Sequence, residues 1–430
     1  MKRFLIILLV LTGVTLYAQQ YWLQVSSPTN QKLKRGMFVD SLNGWIAGDS
    51  GVILHTSNSG NNWVLQNSGT TDGIDDVFFI NQTTGWVITN GYLFNGTIIL
   101  KTTNAGLNWT SARFEDSTVV YNQIYFLNPT TGFLTGYSGY ILKSTNAGLN
   151  WFSTTIDTAY CPPLYLFPKH DIYFINDMTG FACGGQVDIQ GMIWRTTDAG
   201  LNWKTYCLAA EPLYEIKAIN QNIIFATGGD FEYGLANVYS TNGGVNWIYD
   251  PVMKLLGRGQ SLGMRTPNEI WVPLDYIDYF AVTTDSGFNA VDWREVPYPG
   301  NEGMNYTFFV TPTLGWSVAD SGRIYKYNSS IIGIAGNNNE PLPEAFTIDQ
   351  NYPNPFNPET RIGYTLNRSV IVRIEILNLL GQTVDVLLNS FQPSGYHSVS
   401  WNASAFPSGV YFCRITAGSY DKTIKMLLLK

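Results

Sequence analysis

The chain has 430 residues, a formal net charge of -7, 45% hydrophobic and 14% aromatic residues, and only 13% charged ones. This balance excludes a disordered polymer, and the acidic sign argues against a nucleic-acid partner held on a basic face. Abundant glycine, tyrosine and tryptophan with few charges favour all-β structure rich in turns.

At the N-terminus Lys2 and Arg3 precede an apolar run from Phe4 to Leu16, and Tyr17-Ala18 offers a cleavage site before Gln19. Residues 1-18 are therefore expected to be a signal peptide. No later stretch approaches the roughly 20 apolar residues of a spanning helix, so no transmembrane helix is expected after cleavage.

Six copies of one turn follow. They read Thr56-x-Asn58-x-Gly60-x-Asn62-Trp63, Thr102-x-Asn104-x-Gly106-x-Asn108-Trp109, Ser144-x-Asn146-x-Gly148-x-Asn150-Trp151, Thr196-x-Asp198-x-Gly200-x-Asn202-Trp203 and Ser240-x-Asn242-x-Gly244-x-Asn246-Trp247, with a stretched sixth copy from Thr283-x-Asp285-x-Gly287 to Trp293. The tryptophans recur every 42 to 52 residues, the range of propeller blades. In such a turn the Asp or Asn oxygen accepts from backbone N–H groups, the hydroxyl holds the strand end, glycine takes positive φ, and tryptophan is buried between blades. The six copies are expected to staple hairpins rather than to bind metal or catalyse.

Between them recur Gly44-Trp45, Gly85-Trp86, Gly132-Phe133, Gly180-Phe181, Ile223-Ile224-Phe225, Ile270-Trp271 and Gly315-Trp316, seven expected inner strands against six turns. Trp22-Leu23-Gln24-Val25 matches the strand after each turn and would complete a seventh sheet, zipping the ring shut. The expectation is a seven-bladed β-propeller over residues 20-330. The turns resemble the Asp-box, or BNR repeat, and the repeat length with the phrase Gly132-Phe133-Leu134-Thr135-Gly136-Tyr137-Ser138-Gly139-Tyr140-Ile141-Leu142-Lys143-Ser144 resembles the propellers of photosystem II assembly factors, more distantly those of sialidases and sortilin-like receptors. That resemblance implies a protein-binding scaffold and transfers no functional residue.

Strand alternation puts the Asp-box turns on one face and the inserted loops on the other. The loop residues Tyr92, Phe94, Tyr160, Asp188, Asp230, Phe231, Glu232, Tyr233, Asp275, Tyr276 and Tyr279 form a candidate binding face for a surface ligand, whether peptide, polysaccharide or protein; ordinary turns filling the channel mouth are the plainer reading. A secreted glycan-active hydrolase is the alternative, either sialidase-like or using two of Asp188, Asp230, Glu232 and Asp275. No Arg-Ile-Pro signature precedes the first turn. His55, His170 and His397 lack ligand spacing, so no metal or cofactor is expected. Cys161 and Cys207 form a candidate disulfide, with buried free thiols as the competing reading.

Residues 331-345 read as a linker. Residues 346-430 show short alternating strands expected to form a small immunoglobulin-like β-sandwich. Asn351-Tyr352-Pro353-Asn354-Pro355-Phe356-Asn357-Pro358, in which Tyr352 and Phe356 would anchor the segment against a sheet, is followed by Gly409, Tyr411, Lys425 and Lys430. This set resembles the C-terminal sorting domain of type IX secretion cargo. It implies recognition by the type IX translocon and its processing machinery, export across both membranes, and a secreted or surface-attached product.

Overall fold

Period-two alternation within each repeat produces antiparallel strands whose apolar side faces a neighbouring sheet. A computed structural model describes residues 21–90, 96–114, 120–157, 159, 161, 166–275, 277–330, 346–366, 370–392, 395–417 and 420–430. The expected signal peptide, the linker 331–345, and Tyr92, Phe94, Tyr160 and Tyr276 lie outside the described residues. No described helix is long and apolar enough to cross a membrane.

Up to residue 330 the described strands form seven sheets. The first runs Leu33–Phe38, Gly44–Gly48, Ile53–Thr56, Val64–Gln66 in spatial order. The same meander restarts at Gly73–Phe79, Tyr121–Phe126, Lys169–Phe174, Leu213–Ala218, at the split pair Arg258–Gly259 and Gly263–Met264, and at Met304–Thr311. Each sheet packs on the next, and Met304–Thr311 returns to pack on Leu33–Phe38, which makes the arrangement a closed propeller. Trp22–Val25 pairs antiparallel with Ile324–Tyr327, with Trp22 opposite Tyr327, so the N-terminal strand supplies the outer strand of the seventh sheet. Trp22 is buried there, 5.6 Å from the rings of Trp271 and Phe280 and 5.5 Å from Tyr327.

The Gly-aromatic pairs sit on the second, inner strand of their sheets. The physical reason lies in the cross-strand partner. Gly85 faces Phe79, Gly132 faces Phe126 and Gly180 faces Phe174; a Cβ at these glycines would sit 2.5, 2.6 and 2.6 Å from the opposing ring. The bare glycine lets the ring lie flat. Phe79 then stacks at 3.6 Å on Trp45 of the preceding sheet, Phe126 at 3.6 Å on Trp86, and the Asp-box tryptophans Trp109 and Trp151 meet the same rings edge-on at 5.9 and 6.2 Å. In the fifth sheet the bulk changes sides, with Ala218 facing Ile224.

The C-terminal strands form two sheets, one of Phe346–Ile348, Glu359–Leu366 and Gly395–Asn402, the other of Thr383–Gln392, Val370–Leu377, Gly409–Ala417 and Tyr420–Leu428. Their facing sides enclose one core around Ile362, Ile374, Trp401 and Ile415.

Candidate functional site

The leading strands share a defect that creates the site. In six of them one extra residue bulges out near the start: Lys34, Asp75, Asn122, His170, Tyr214 and Asn305 each break the register with the second strand. The split sixth leader places Gln260 in the corresponding gap, its N–H bonded to Pro273. The residue after each bulge is also polar: Arg35, Asp76, Gln123, Asp171, Glu215 and Tyr306. Two polar layers therefore line the central channel, and side chains of the two bulge positions share its walls.

The inner layer is a plug. Arg35 lies 3.7 Å from Asp76, 3.5 Å from Asp171 and 3.5 Å from Glu215, with its guanidinium 4.5 Å from the Tyr306 ring centre. Glu215 also accepts from the Tyr306 hydroxyl at 2.7 Å and pairs with Lys217 at 2.8 Å. Each acid further clasps the next sheet: Ile124 N–H donates to Asp76 at 2.9 Å, Ile216 N–H to Asp171 at 3.0 Å, and Leu262 N–H to Glu215. Burial raises the Asp76 carboxyl to about 6 against the pull of Arg35, and burial likewise raises Asp171. Three acids face two cations here. The plug ties the sheets together and divides the channel into a cavity of about 440 Å³ on one side and one of about 250 Å³ on the other, with Arg35, Gln123 and Tyr306 lining both.

The smaller cavity is the channel mouth on the loop face. Its wall includes Tyr137, His170, Tyr214, Arg258, Gln260 and Asn305. His170 stacks on Tyr214 at 4.8 Å, and the Arg258 guanidinium lies 4.8 Å from the centre of the Tyr214 ring. Burial, then Arg258, lowers the imidazole to about 4, which keeps it neutral. Lys34 pairs with Asp49 at 2.6 Å and Asp75 at 2.8 Å, and Arg258 pairs with Asp275, which shows that the hairpin tips share this end.

Among the expected face residues, Asp275 reaches this mouth through Arg258, while Phe231, Tyr233 and Tyr279 are exposed and are not part of the mouth wall. Asp188 and Asp230 converge elsewhere on the rim, and Glu232 donates its N–H to Asp230 at 2.8 Å. The mouth itself was visible in the sequence only as a polar pair before each alternating strand, as in Asn122-Gln123 and His170-Asp171.

The Asp-box turns lie at the opposite end. Thr56 Oγ1 accepts from Gly60 N–H at 3.0 Å, and Asn58 Oδ1 from Asn62 N–H at 3.0 Å; the patterns at Asn104, Asn146, Asp198 and Asn242 repeat this. In the stretched copy Asp285 Oδ1 takes the Gly287 N–H instead, at 3.3 Å. Positive φ is not confined to glycine: Ser59, Ala105, Ala147, Ala199 and Ser286 also adopt it. These residues anchor each turn to the next one inward, as in Ala105 N–H to Thr83 O at 2.8 Å. Trp63, Trp203 and Trp293 are buried, whereas Trp109, Trp151 and Trp247 are half-buried. Cys161 and Cys207 are joined as a disulfide, while Cys183 and Cys413 are buried thiols.

In the C-terminal motif one expectation needs correction. Phe356 is buried, 5.5 Å from Trp401, but Tyr352 is 81% exposed. The anchor beside Phe356 is Asn351, whose amide donates to Thr360 Oγ1 at 2.8 Å and Pro353 O at 3.1 Å. With Asn351 and Phe356 turned into the domain, the Tyr352 ring is left to solvent. Asn354 Oδ1 accepts from Leu427 N–H at 2.9 Å, and Phe356 exchanges backbone bonds with Leu427 and Leu429, both at 3.0 Å, so the motif and the chain end form one unit. Tyr411 is buried with its hydroxyl on Pro407 O at 2.9 Å, and Lys430 N–H bonds Ser408 Oγ at 2.9 Å; Gly409 pairs with Leu428, and Lys425 is exposed.

Residues 350–430 match the family model described as secretion system C-terminal sorting domain, and residues 14–161 match that of photosynthesis system II assembly factor YCF48. A comparison with curated proteins found no match. Among solved structures, YCF48 bound to D1 peptide is similar at 16% identity and a TM-score of 0.55, over 71% of this chain and 96% of that one. YCF48 from Cyanidioschyzon merolae is similar at 17% and 0.58, over 73% and 100%. A GH74 xyloglucanase from Xanthomonas campestris is similar at 10% and 0.56, over 73% and 54%. The chain is a propeller of YCF48-like repeats that ends in a type IX sorting domain, and it is accordingly secreted or held at the cell surface.

Proposed function

We propose that the propeller is a non-enzymatic binding module whose channel mouth takes an extended peptide segment of a partner protein. The observation that carries this reading is the wall of the mouth. Stacked His170 and Tyr214, the Arg258 guanidinium and the amides of Asn122 and Gln260 offer ring faces, charge and hydrogen bonds in about 250 Å³. That volume is below the roughly 300–1,000 Å³ of small-molecule pockets and suits a side chain or chain end. The D1 peptide named with the similar YCF48 structure supports the same ligand class. The sorting domain would deliver the module through the type IX translocon, and residues 20-330 and 346-430 would act as separate domains.

The geometry gives hydrolysis less support. The acids of the plug are taken up by Arg35, Lys217 and backbone N–H groups. A peptide array probed with the full chain, followed by fluorescence anisotropy, tests the reading: Arg258→Ala or Tyr214→Ala should weaken a hit at least about tenfold, or ~1.4 kcal/mol. Polysaccharide turnover abolished by Asp188→Ala or Asp230→Ala would overturn it.

A further inference from the structure

The geometry points to a calcium site at the rim between the fourth and fifth sheets, formed by Asp188, Glu211 and Asp230. The three arrive from separate segments. Asp188 sits at the tip joining Gly180–Gln186 to Gln190–Thr196, Glu211 lies in the link from Asn202–Ala209 to Leu213–Ala218, and Asp230 ends Ile224–Asp230. One ligand oxygen from each lies within 4.8 Å of the other two.

A carboxylate cluster alone would be unremarkable on an acidic surface, but Glu211 is not on the surface. It is 1% exposed; its Oε2 accepts from Asp188 N–H at 3.1 Å, while Oε1 is buried without a hydrogen-bond partner. Leaving such an oxygen unmatched costs free energy unless something else satisfies it. Among the described residues, no lysine or arginine forms an ion pair with any of the three. Asp230 is held in place, since its Oδ1 accepts from Glu232 N–H at 2.8 Å and Tyr233 N–H at 2.9 Å. Asp188 holds a φ of 60°, in the left-handed region.

An all-oxygen set selects a hard cation. Calcium accepts about six to eight oxygens in a flexible geometry, whereas magnesium demands a near-ideal octahedron and usually keeps most of its waters, taking only one or two carboxylates. Three carboxylates from separate segments fit calcium, with water completing its shell. Bound calcium would clip the hairpin tips of two sheets to the link between them and stiffen the rim beside the mouth.

Calorimetric titration of Ca²⁺ into the EDTA-treated, dialysed full chain tests this. One saturable site is expected, weakened at least about tenfold by Glu211→Gln and by Asp188→Asn, unchanged by Asp177→Asn on the opposite face and by Arg258→Ala in the mouth. Tryptophan fluorescence reports whether each variant folds; should Glu211→Gln fail, the exposed Asp188→Asn carries the test. Absence of saturable heat at millimolar Ca²⁺, equal affinity in folded Asp188→Asn, or tighter binding of Mg²⁺ would overturn the assignment. None of these results depends on peptide binding.

Discussion

The fit between Gly85 and Phe79 gives a quantitative test of how the ring is packed. Phe79 is buried, stacked on Trp45 and edge-on to Trp109, so Phe79→Ala removes a ring shared by two sheets and should cost about 3–5 kcal/mol. Gly85→Ala places a Cβ 2.5 Å from that ring, and the overpacking should cost about 1–3 kcal/mol. The double variant has no ring to clash with. Its loss should stay near that of Phe79→Ala alone, a coupling of roughly 1–3 kcal/mol in a double-mutant cycle. The fifth sheet already contains such a compensated pair in Ala218 and Ile224. Equilibrium urea unfolding of the full chain, followed by tryptophan fluorescence, measures the cycle. Strict additivity of the two losses would refute the claim that glycine is there to seat the ring.

Three further outcomes follow from the ionic and covalent ties. Arg35→Met leaves Asp76, Asp171 and Glu215 without their shared cation and should destabilise the propeller by about 3–5 kcal/mol, measured by the same unfolding assay. In the C-terminal domain, Arg373 and Arg414 hold Glu375 near 2, so its contribution is present above the usual carboxylate range and lost as pH falls through about 2; Glu375→Gln should flatten the acid limb of a thermal unfolding profile. Cys207→Ser opens a link across 46 residues and should lower stability by about 2–4 kcal/mol under oxidising conditions, with no difference from the parent chain once both are reduced.

The fold was legible because its signals are local. A Thr-x-Asn-x-Gly-x-Asn-Trp turn satisfies its own hydrogen bonds within a few residues, and period-two alternation marks each strand. The pairing of Trp22 with the last strand could be read because the two ends of one repeat pattern complement each other. The site was less legible. Arg35 meets Glu215 across 180 residues, and inward-facing polar residues such as Gln123 and Asp171 look, by hydropathy, like the solvent side of any strand. The bulges that double the polar layer leave no mark beyond two polar residues in a row. Tyr352 shows a different limit: an aromatic in an extended motif suggests an anchor, yet the backbone path there buries Asn351 instead. The positive φ of Ala105 and Ala147 was likewise hidden, since alanine carries no sign of a left-handed turn.

Hydrogen exchange of the full chain, with and without a peptide identified by array, tests the central claim most directly. Protection is expected to gather at the starts of the leading strands, around Asn122, His170, Tyr214 and Gln260, and to vanish with Arg258→Ala. Protection confined to the Asp-box turns around Asn58, Asn104 and Asn146, or spread over the rim with the mouth unchanged, would contradict it.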